Sequence, residues 1–300
     1  MVTVYIGAGL ANRMFQYAFA LYLQNKGLHV DIDEHTFKPR YDFEDTKLAN
    51  VFAGIDLPET PLNKMSYKPY FPTWLSKLYR GRFYKAYRYL LEYLKPDKRY
   101  IERYRLTYEP NIYKRASKDC YYNGFWITHK YFQPYEKDIR RAFVFKDFVS
   151  EKNKIIAQRI QQENAVAVHF RKNIDYINGP GKECTVSYYL KAIQYIKDHT
   201  ENPKFYFFSD NWEWVRQNIG DKVDYTAVDW NPPTGPESHC DMQLMSLCKH
   251  NITANSTYSW WAAYLNDNPE KIVIGPLKWF ENVKDIRIII PEDWILIGRD

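Results

Sequence analysis

The chain has 300 residues, 42 Lys and Arg against 36 Asp and Glu for a net charge of +6, and a hydrophobic share of 45%. That balance excludes a disordered chain, and the modest positive charge favours an anionic ligand without naming one. At about 150 residues per domain, two domains are expected, 1–150 and 151–300, each able to bury a core.

Aromatic residues reach 18%, with 27 Tyr and 9 Trp, and rings in such number often line sugar or base pockets as well as cores. The four cysteines, Cys120, Cys184, Cys240 and Cys248, form no C-x-x-C pair, which suits reduced thiols in a cytoplasm. His239-Cys240 and Cys248-x-His250 are separated by Leu244, Met245 and Leu247 at helical spacing, so a core helix is expected there and not a zinc site. A strand follows Met1 directly, with no leader, and no apolar run approaches the ~18 residues that span a bilayer. The expected location is the cytoplasm, at most peripheral at the inner membrane face.

In chain order, Val2–Ile6 reads as a strand running into Gly7-Ala8-Gly9-Leu10-Ala11-Asn12 and a helix from Arg13 to Lys26 ended by Gly27. Leu28–Asp33 reads as a second strand. This β-α-β opening resembles a dinucleotide fingerprint, with Asp31 or Asp33 at the ribose-binding distance, and supports an alternative reading as a FAD- or NAD-dependent oxidoreductase. Against it, Asn12 replaces the third glycine, where a Rossmann helix needs close packing on its strand.

From Lys64 to Arg105 the composition shifts to twelve Lys/Arg and twelve aromatics with three acids, a local charge of +9. Arg82, Lys85, Arg88 and Tyr89 fall at roughly helical spacing opposite Phe83, Tyr87, Leu90, Leu91 and Leu94, as in one amphipathic helix. A solvated cationic face is the commoner meaning; contact with anionic membrane is the functional one. Nucleic acid is not expected, because no zinc-finger, helix-turn-helix or RNP signature is present. Asp119–Trp126 reads as a strand and turn, and a helix over Lys152–Gln162 opens the second domain.

Ala165-Val166-Ala167-Val168-His169-Phe170-Arg171 is an apolar run suited to a strand buried on both faces, ending in two side chains that can handle a phosphate or a base. Alternation places His169 and Arg171 on one face at the carboxyl edge, where open α/β sheets bind ligands. Taken alone, an ordinary strand leading to a solvated loop fits the same residues and is the commoner case. Ser187 is expected to cap a helix from Tyr188 to His199. Lys204–Phe208 is a strand ending in Ser209-Asp210, where Asp210 either accepts from a base edge or, more commonly, caps the helix from Trp212. After a helix over Met242–His250 and a strand over Asn251–Ala254, Asn255-Ser256-Thr257-Tyr258-Ser259 leads into a helix over Trp260–Leu265. Free N–H groups and hydroxyls at a helix N-terminus make an anion site. Strands over Lys271–Gly275 and Arg287–Ile290 are expected to finish the chain.

Gly7–Phe19, His169–Asp175, Phe208-Ser209-Asp210 with Trp212, and Asn255–Leu265 resemble, in order, the motifs of the glycosyltransferase family 11 alpha-1,2-fucosyltransferases of the bacterial soluble kind. The matched stretches run from Val4 to about Trp279. Ala11 and Arg13 stand where the family has glycine and glutamine, and the H-x-R-R-G-D-Y motif becomes His169 to Tyr176 with one extra residue. The resemblance implies an α/β chain of GT-B type, two Rossmann-like domains facing across a cleft, with GDP-fucose on the C-terminal one and the acceptor on the N-terminal one. It implies inverting, metal-independent transfer of L-fucose to the 2-hydroxyl of a terminal galactoside, with no cofactor. By the same resemblance His169 and Asp210 meet guanine, Arg171 and the N–H and hydroxyl groups of Ser256, Thr257 and Tyr258 hold the diphosphate, and Asn12 faces the cleft. Asp175 is expected to orient Arg171, and Glu183 is the weaker candidate for general base. A non-catalytic glycan-binding module is the third reading, drawn from the aromatic content.

Overall fold

The computed structural model describes residues 2–34, 47–59, 98–103, 106–172, 183–280, 283 and 285–298. Asp175 and the expected helix between Arg82 and Leu94 lie outside the described residues. The chain divides into two compact units, the first ending at Val144 and the second beginning at Phe145.

The first unit contains β1 (Val2–Tyr5), α1 (Leu10–Asn25), β2 (Val30–Asp33), α2 (Leu48–Val51), β3 (Lys98–Arg103), β4 (Asp119–Gly124) and α3 (Glu136–Ala142). Its four described strands form one parallel sheet in the order β2-β1-β4-β3. The strand β3 lies at the end of the basic region, where composition gave no sign of one. Helix α1 starts at Leu10, earlier than Arg13, because the turn before it is tight. Ala8 there takes a left-handed φ of 69° that glycine ordinarily supplies. The helix ends at Gly27 with φ 83°, as expected. Its body is buried nearly all round, with Phe19 stacked on Trp126 at 4.0 Å.

The second unit follows the α/β alternation. It contains α4 (Glu151–Gln162), β5 (Ala165–Phe170), α5 (Val186–His199), β6 (Lys204–Ser209), α6 (Trp212–Asn218), β7 (Tyr225–Val228), α7 (Cys240–Leu247), β8 (His250–Ile252), α8 (Thr257–Leu265), β9 (Val273–Pro276) and β10 (Ile295–Ile297). Six parallel strands run in the order β7-β6-β5-β8-β9-β10. β5 is therefore central, its apolar run buried throughout, with Val168 beside Phe207 on one side and Ile252 on the other.

The connections run outward from β5 through β6 to β7, then return to β8 and run the other way. The strand order thus reverses between β5 and β8, and open α/β sheets bind their ligands at that reversal, beyond the carboxyl ends of the strands.

Several expected elements of this unit differ in type or bounds: the helix expected over Met242–His250 ends at Leu247, with His250 already in β8, and the helix expected from Trp260 begins at Thr257. Arg287–Ile290 is a tight 3₁₀ turn (Ile286–Ile288) and not a strand, because Asp285 Oδ1 accepts from the Arg287 N–H at 2.9 Å and the Arg287 guanidinium donates to the carbonyls of Pro291 and Trp294. The edge strand β10 follows those bonds. Helix α5 starts two residues before Tyr188, since Thr185 and not Ser187 is its cap, accepting from the Tyr188 N–H at 3.3 Å. Among the described residues no helix is long and apolar enough to cross a membrane.

Candidate active site

The site is built on the carboxyl edge of the second unit's sheet. Where β5 ends, Arg171 Nη1 lies 3.0 Å from Asp210 Oδ2, and the Lys172 N–H donates to Asp210 Oδ1 at 2.6 Å. Asp210 therefore ties the loop after β5 to the end of β6 with both carboxylate oxygens. It does not cap α6, because its neighbour Asn211 does, accepting from the Trp214 N–H at 3.0 Å. Relieved of capping, the Asp210 carboxylate aims the guanidinium. The Arg171 side chain is 37% exposed, so the guanidinium is not sealed in the core.

His169 closes the same edge. It is 6% exposed, its ring lies 5.7 Å from that of Tyr258, and Nδ1 has no hydrogen-bond partner among the described residues. Burial, helped by the nearby positive charge of Arg171, pushes its pKa down to about 3, so the ring is neutral. A neutral imidazole can donate from one ring nitrogen and accept at the other, so Nδ1 is left with unmet hydrogen-bonding capacity.

This group has a stability signature. The native His169 binds fewer protons than an unfolded histidine between about pH 3 and 6.5, so its contribution is present above that window and lost as pH falls through it. Asp241, held up to about 7 by burial, acts with the opposite sign. The wild-type protein is expected to lose stability relative to His169→Asn by up to about 1.4 kcal/mol per pH unit below pH 6. Urea unfolding of both proteins from pH 7 to 4.5 checks this, and parallel curves would mean that His169 protonates freely.

Beside the end of β5, the turn after its neighbour β8 leads into α8. The Ser256 hydroxyl accepts from the Tyr258 N–H at 3.3 Å, and Ser259 Oγ accepts from the Ala254 N–H at 3.2 Å, so the turn is held by its own hydroxyls. The Tyr258 hydroxyl donates to the Ser238 carbonyl and accepts from the Met242 N–H, each at 2.8 Å. Both polar groups of Tyr258 are thus engaged inside the protein, and its ring is what it presents to His169. Ser256 and Thr257 sit at the N-terminus of α8, and the field of Arg171 reaches both Tyr258 and His169.

Three residues that the sequence reading left without a role also shape this edge. Asn255, fully buried, donates to the Trp279 carbonyl at 3.1 Å and accepts from Cys184 Sγ at 3.6 Å. Lys172 carries a buried ammonium, and Asn211 supplies the cap. Their signal was present only as polar residues next to strand ends, which is where most solvated loops also begin. Glu183 is placed at the start of the segment leading to α5, with Oε2 at 2.9 Å from Lys172 Nζ.

The glycine-rich turn of the first unit is filled by the protein itself. The Gly7 N–H donates to Gln16 Oε1 at 2.7 Å, Arg13 Nε donates to the Ala8 carbonyl at 2.9 Å, and Arg13 pairs with the buried Glu34. At the end of β2, Asp33 accepts from the Tyr121 hydroxyl at 2.7 Å. The Gly7 N–H and Asp33, one of the two candidate acids, are engaged within the protein, and the oxidoreductase alternative has no support. Asn12 stands in the first turn of α1, on the same unit.

Residues 98–296 match Glycosyl transferase family 11. The chain belongs to that family. Over 183 residues it is 31% identical to an alpha-1,2-colitosyltransferase of Escherichia coli, covering 59% of this chain and 62% of that protein. It is 37% identical over 140 residues to the O-antigen biosynthesis glycosyltransferase WbnK of Escherichia coli, covering 45% of each. A galactoside 2-alpha-L-fucosyltransferase of Caenorhabditis elegans is 26% identical over 194 residues, covering 58% of this chain and 51% of that one. The chain thus spans less than two thirds of the length of these relatives.

Among solved structures, the family 11 chain resembles a mutant of Arabidopsis thaliana FUT1 in complex with GDP, at 12% identity and a TM-score of 0.54, covering 91% of this chain and 69% of that one. It also resembles the fucosyltransferase NodZ from Bradyrhizobium, at 17% identity and a TM-score of 0.50, covering 87% and 91%. At those identities the likeness is one of fold, an α/β chain of GT-B class.

Proposed function

We propose that the protein is an inverting glycosyltransferase that moves L-fucose from GDP-fucose to the 2-hydroxyl of a terminal galactoside. The observation that carries this reading is the Arg171 guanidinium held by Asp210 at the strand-order reversal of a family 11 chain. In the reaction, the acceptor oxygen bonds to the anomeric carbon of fucose, the bond from that carbon to the β-phosphate oxygen breaks, and GDP departs with the electron pair. The acceptor proton passes to a base. Negative charge grows on the diphosphate, and a guanidinium and a helix N-terminus aimed at it lower the barrier.

In this reading Arg171, Ser256 and Thr257 meet the diphosphate, and His169 offers its unmet nitrogen to the nucleoside. Asp210 acts mainly on Arg171, Tyr258 through its ring, and Asn12 from the first unit. Asp175 keeps the expected role of orienting Arg171. The acceptor is a galactose-ended glycan, and anionic membrane contact through Lys64–Arg105 belongs to the reading on charge alone. The expected reaction is metal-independent, because the cationic side chain and the helix N-terminus supply the charge a metal would.

GDP-fucose turnover against a glycan panel tests the reading, with fucose alpha-1,2-linked to terminal galactose as the expected product. Turnover is expected to persist in EDTA. Loss restored by manganese would overturn the metal-free scheme, and no fucosyl product on any galactoside would overturn the substrate assignment. The colitosyltransferase relative favours one second reading, the transfer of colitose, so a nucleotide-linked colitose donor belongs in the same panel.

A further inference from the structure

Lys172 is 2% exposed, and three groups among the described residues lie around its ammonium. Nζ donates to the Cys184 carbonyl, lies 2.9 Å from Glu183 Oε2 and sits 3.7 Å from the centroid of the Trp214 ring. Burial pulls the ammonium below its ordinary range while the neighbouring Glu183 pushes it back. A buried ammonium is costly without a counter-charge, and Glu183, its side chain 31% exposed, supplies one from the edge of the site. A solvated loop has no need of such a pair. Its position suggests the reason for it, since the backbone N–H of the same residue holds Asp210 Oδ1 at 2.6 Å and Asp210 holds Arg171.

We propose that Lys172 is the positioning residue of this site: anchored at its ammonium by Glu183, the Cys184 carbonyl and the Trp214 ring, it fixes the N–H that sets Asp210, and through Asp210 the guanidinium of Arg171. Four charges take part, Arg171 and Lys172 against Asp210 and Glu183. Lys172 cancels Glu183, so the Arg171–Asp210 pair faces the ligand without a second uncompensated carboxylate behind it. Glu183 is then a counter-ion and not the general base. The inference rests on the reading that Arg171 meets the diphosphate of GDP.

The test is calorimetric titration with GDP, together with kcat for GDP-fucose transfer, on wild type, Lys172→Met and the double variant Lys172→Met/Glu183→Gln. Coupling within such a network corresponds to a factor of roughly ten. Lys172→Met is expected to weaken GDP about tenfold and to lower kcat, because the N–H loses its anchor and Glu183 is left bare. The double variant removes the bare carboxylate but not the lost anchor, so it is expected to regain only part of the affinity and turnover and to stay weaker than wild type. Were Glu183 the base, the double variant would instead have the lowest kcat of the three.

A purely structural pair would lower the unfolding temperature of Lys172→Met and leave GDP affinity at the wild-type value, which overturns the proposal. Should Lys172→Met fail to fold, Trp214→Leu keeps both charges, removes the ring under the ammonium and is expected to weaken GDP about threefold. Unchanged affinity there overturns the proposal equally. A wild-type protein that does not bind GDP overturns the donor reading and this inference with it, whereas wild-type binding with no change in either variant overturns the inference alone.

Discussion

Arg171→Lys is expected to lower turnover about 100-fold or more at saturating donor, the usual cost of losing one well-placed donor to a developing anion. The guanidinium lies 3.0 Å from Asp210 Oδ2 through Nη1, and its planar fork carries further N–H donors beside that one. A lysine ammonium at that position is a point charge on a flexible stem, so it satisfies either Asp210 or one phosphate oxygen, not a pair of oxygens as well. Because the charge on the leaving diphosphate grows toward the transition state, the loss falls on kcat more than on donor affinity. Steady-state kinetics with GDP-fucose separates the two, and wild-type kcat at saturating donor would remove Arg171 from the diphosphate.

Trp260→Ala is expected to cost about 3–5 kcal/mol of stability, the range for truncating a fully buried aromatic side chain. Trp260 has no exposed surface, donates from Nε1 to the Ile289 carbonyl at 2.9 Å and packs on Tyr264 and Trp294 at 5.0 and 5.6 Å. It belongs to α8, whose first turn carries Ser256 and Thr257, so the same packing holds the proposed anion site. Trp260→Phe keeps a ring and strands the Ile289 carbonyl, and its cost is expected nearer 1–2 kcal/mol. Urea midpoints of the two variants decide the matter. A loss under about 1 kcal/mol in Trp260→Ala would mean that α8 is held by its turn hydroxyls alone.

The local part of this architecture was legible because its signals are short. The buried run of β5, the apolar strand of β6 and the hydroxyl-rich entry to α8 are each set by a few adjacent residues, and each lies where alternation and capping chemistry put it. Family motifs carried the rest of the donor reading, since no periodicity says that a histidine two residues before an arginine meets a nucleotide. The tail was misjudged for a physical reason. Arg287–Ile290 has the composition of a strand, yet the Asp285 carboxylate and the Arg287 guanidinium satisfy the local backbone first, and the strand follows at Ile295.

By itself the sequence determined the α/β alternation, the central buried strand and the set of polar residues at its carboxyl edge. Only the tertiary structure decided which of them act together. Asp210 and Asn211 are both competent caps in sequence, and the choice of Asn211 left Asp210 for Arg171. Lys172 and Glu183 are eleven residues apart and meet only because the segments around β5 and α5 converge on the Trp214 ring. The Gly7 turn looked like a phosphate loop until Gln16 and Arg13 filled it. Propensity and capping act within a turn or a strand, whereas the pairing of buried charges depends on distances that chain separation does not encode.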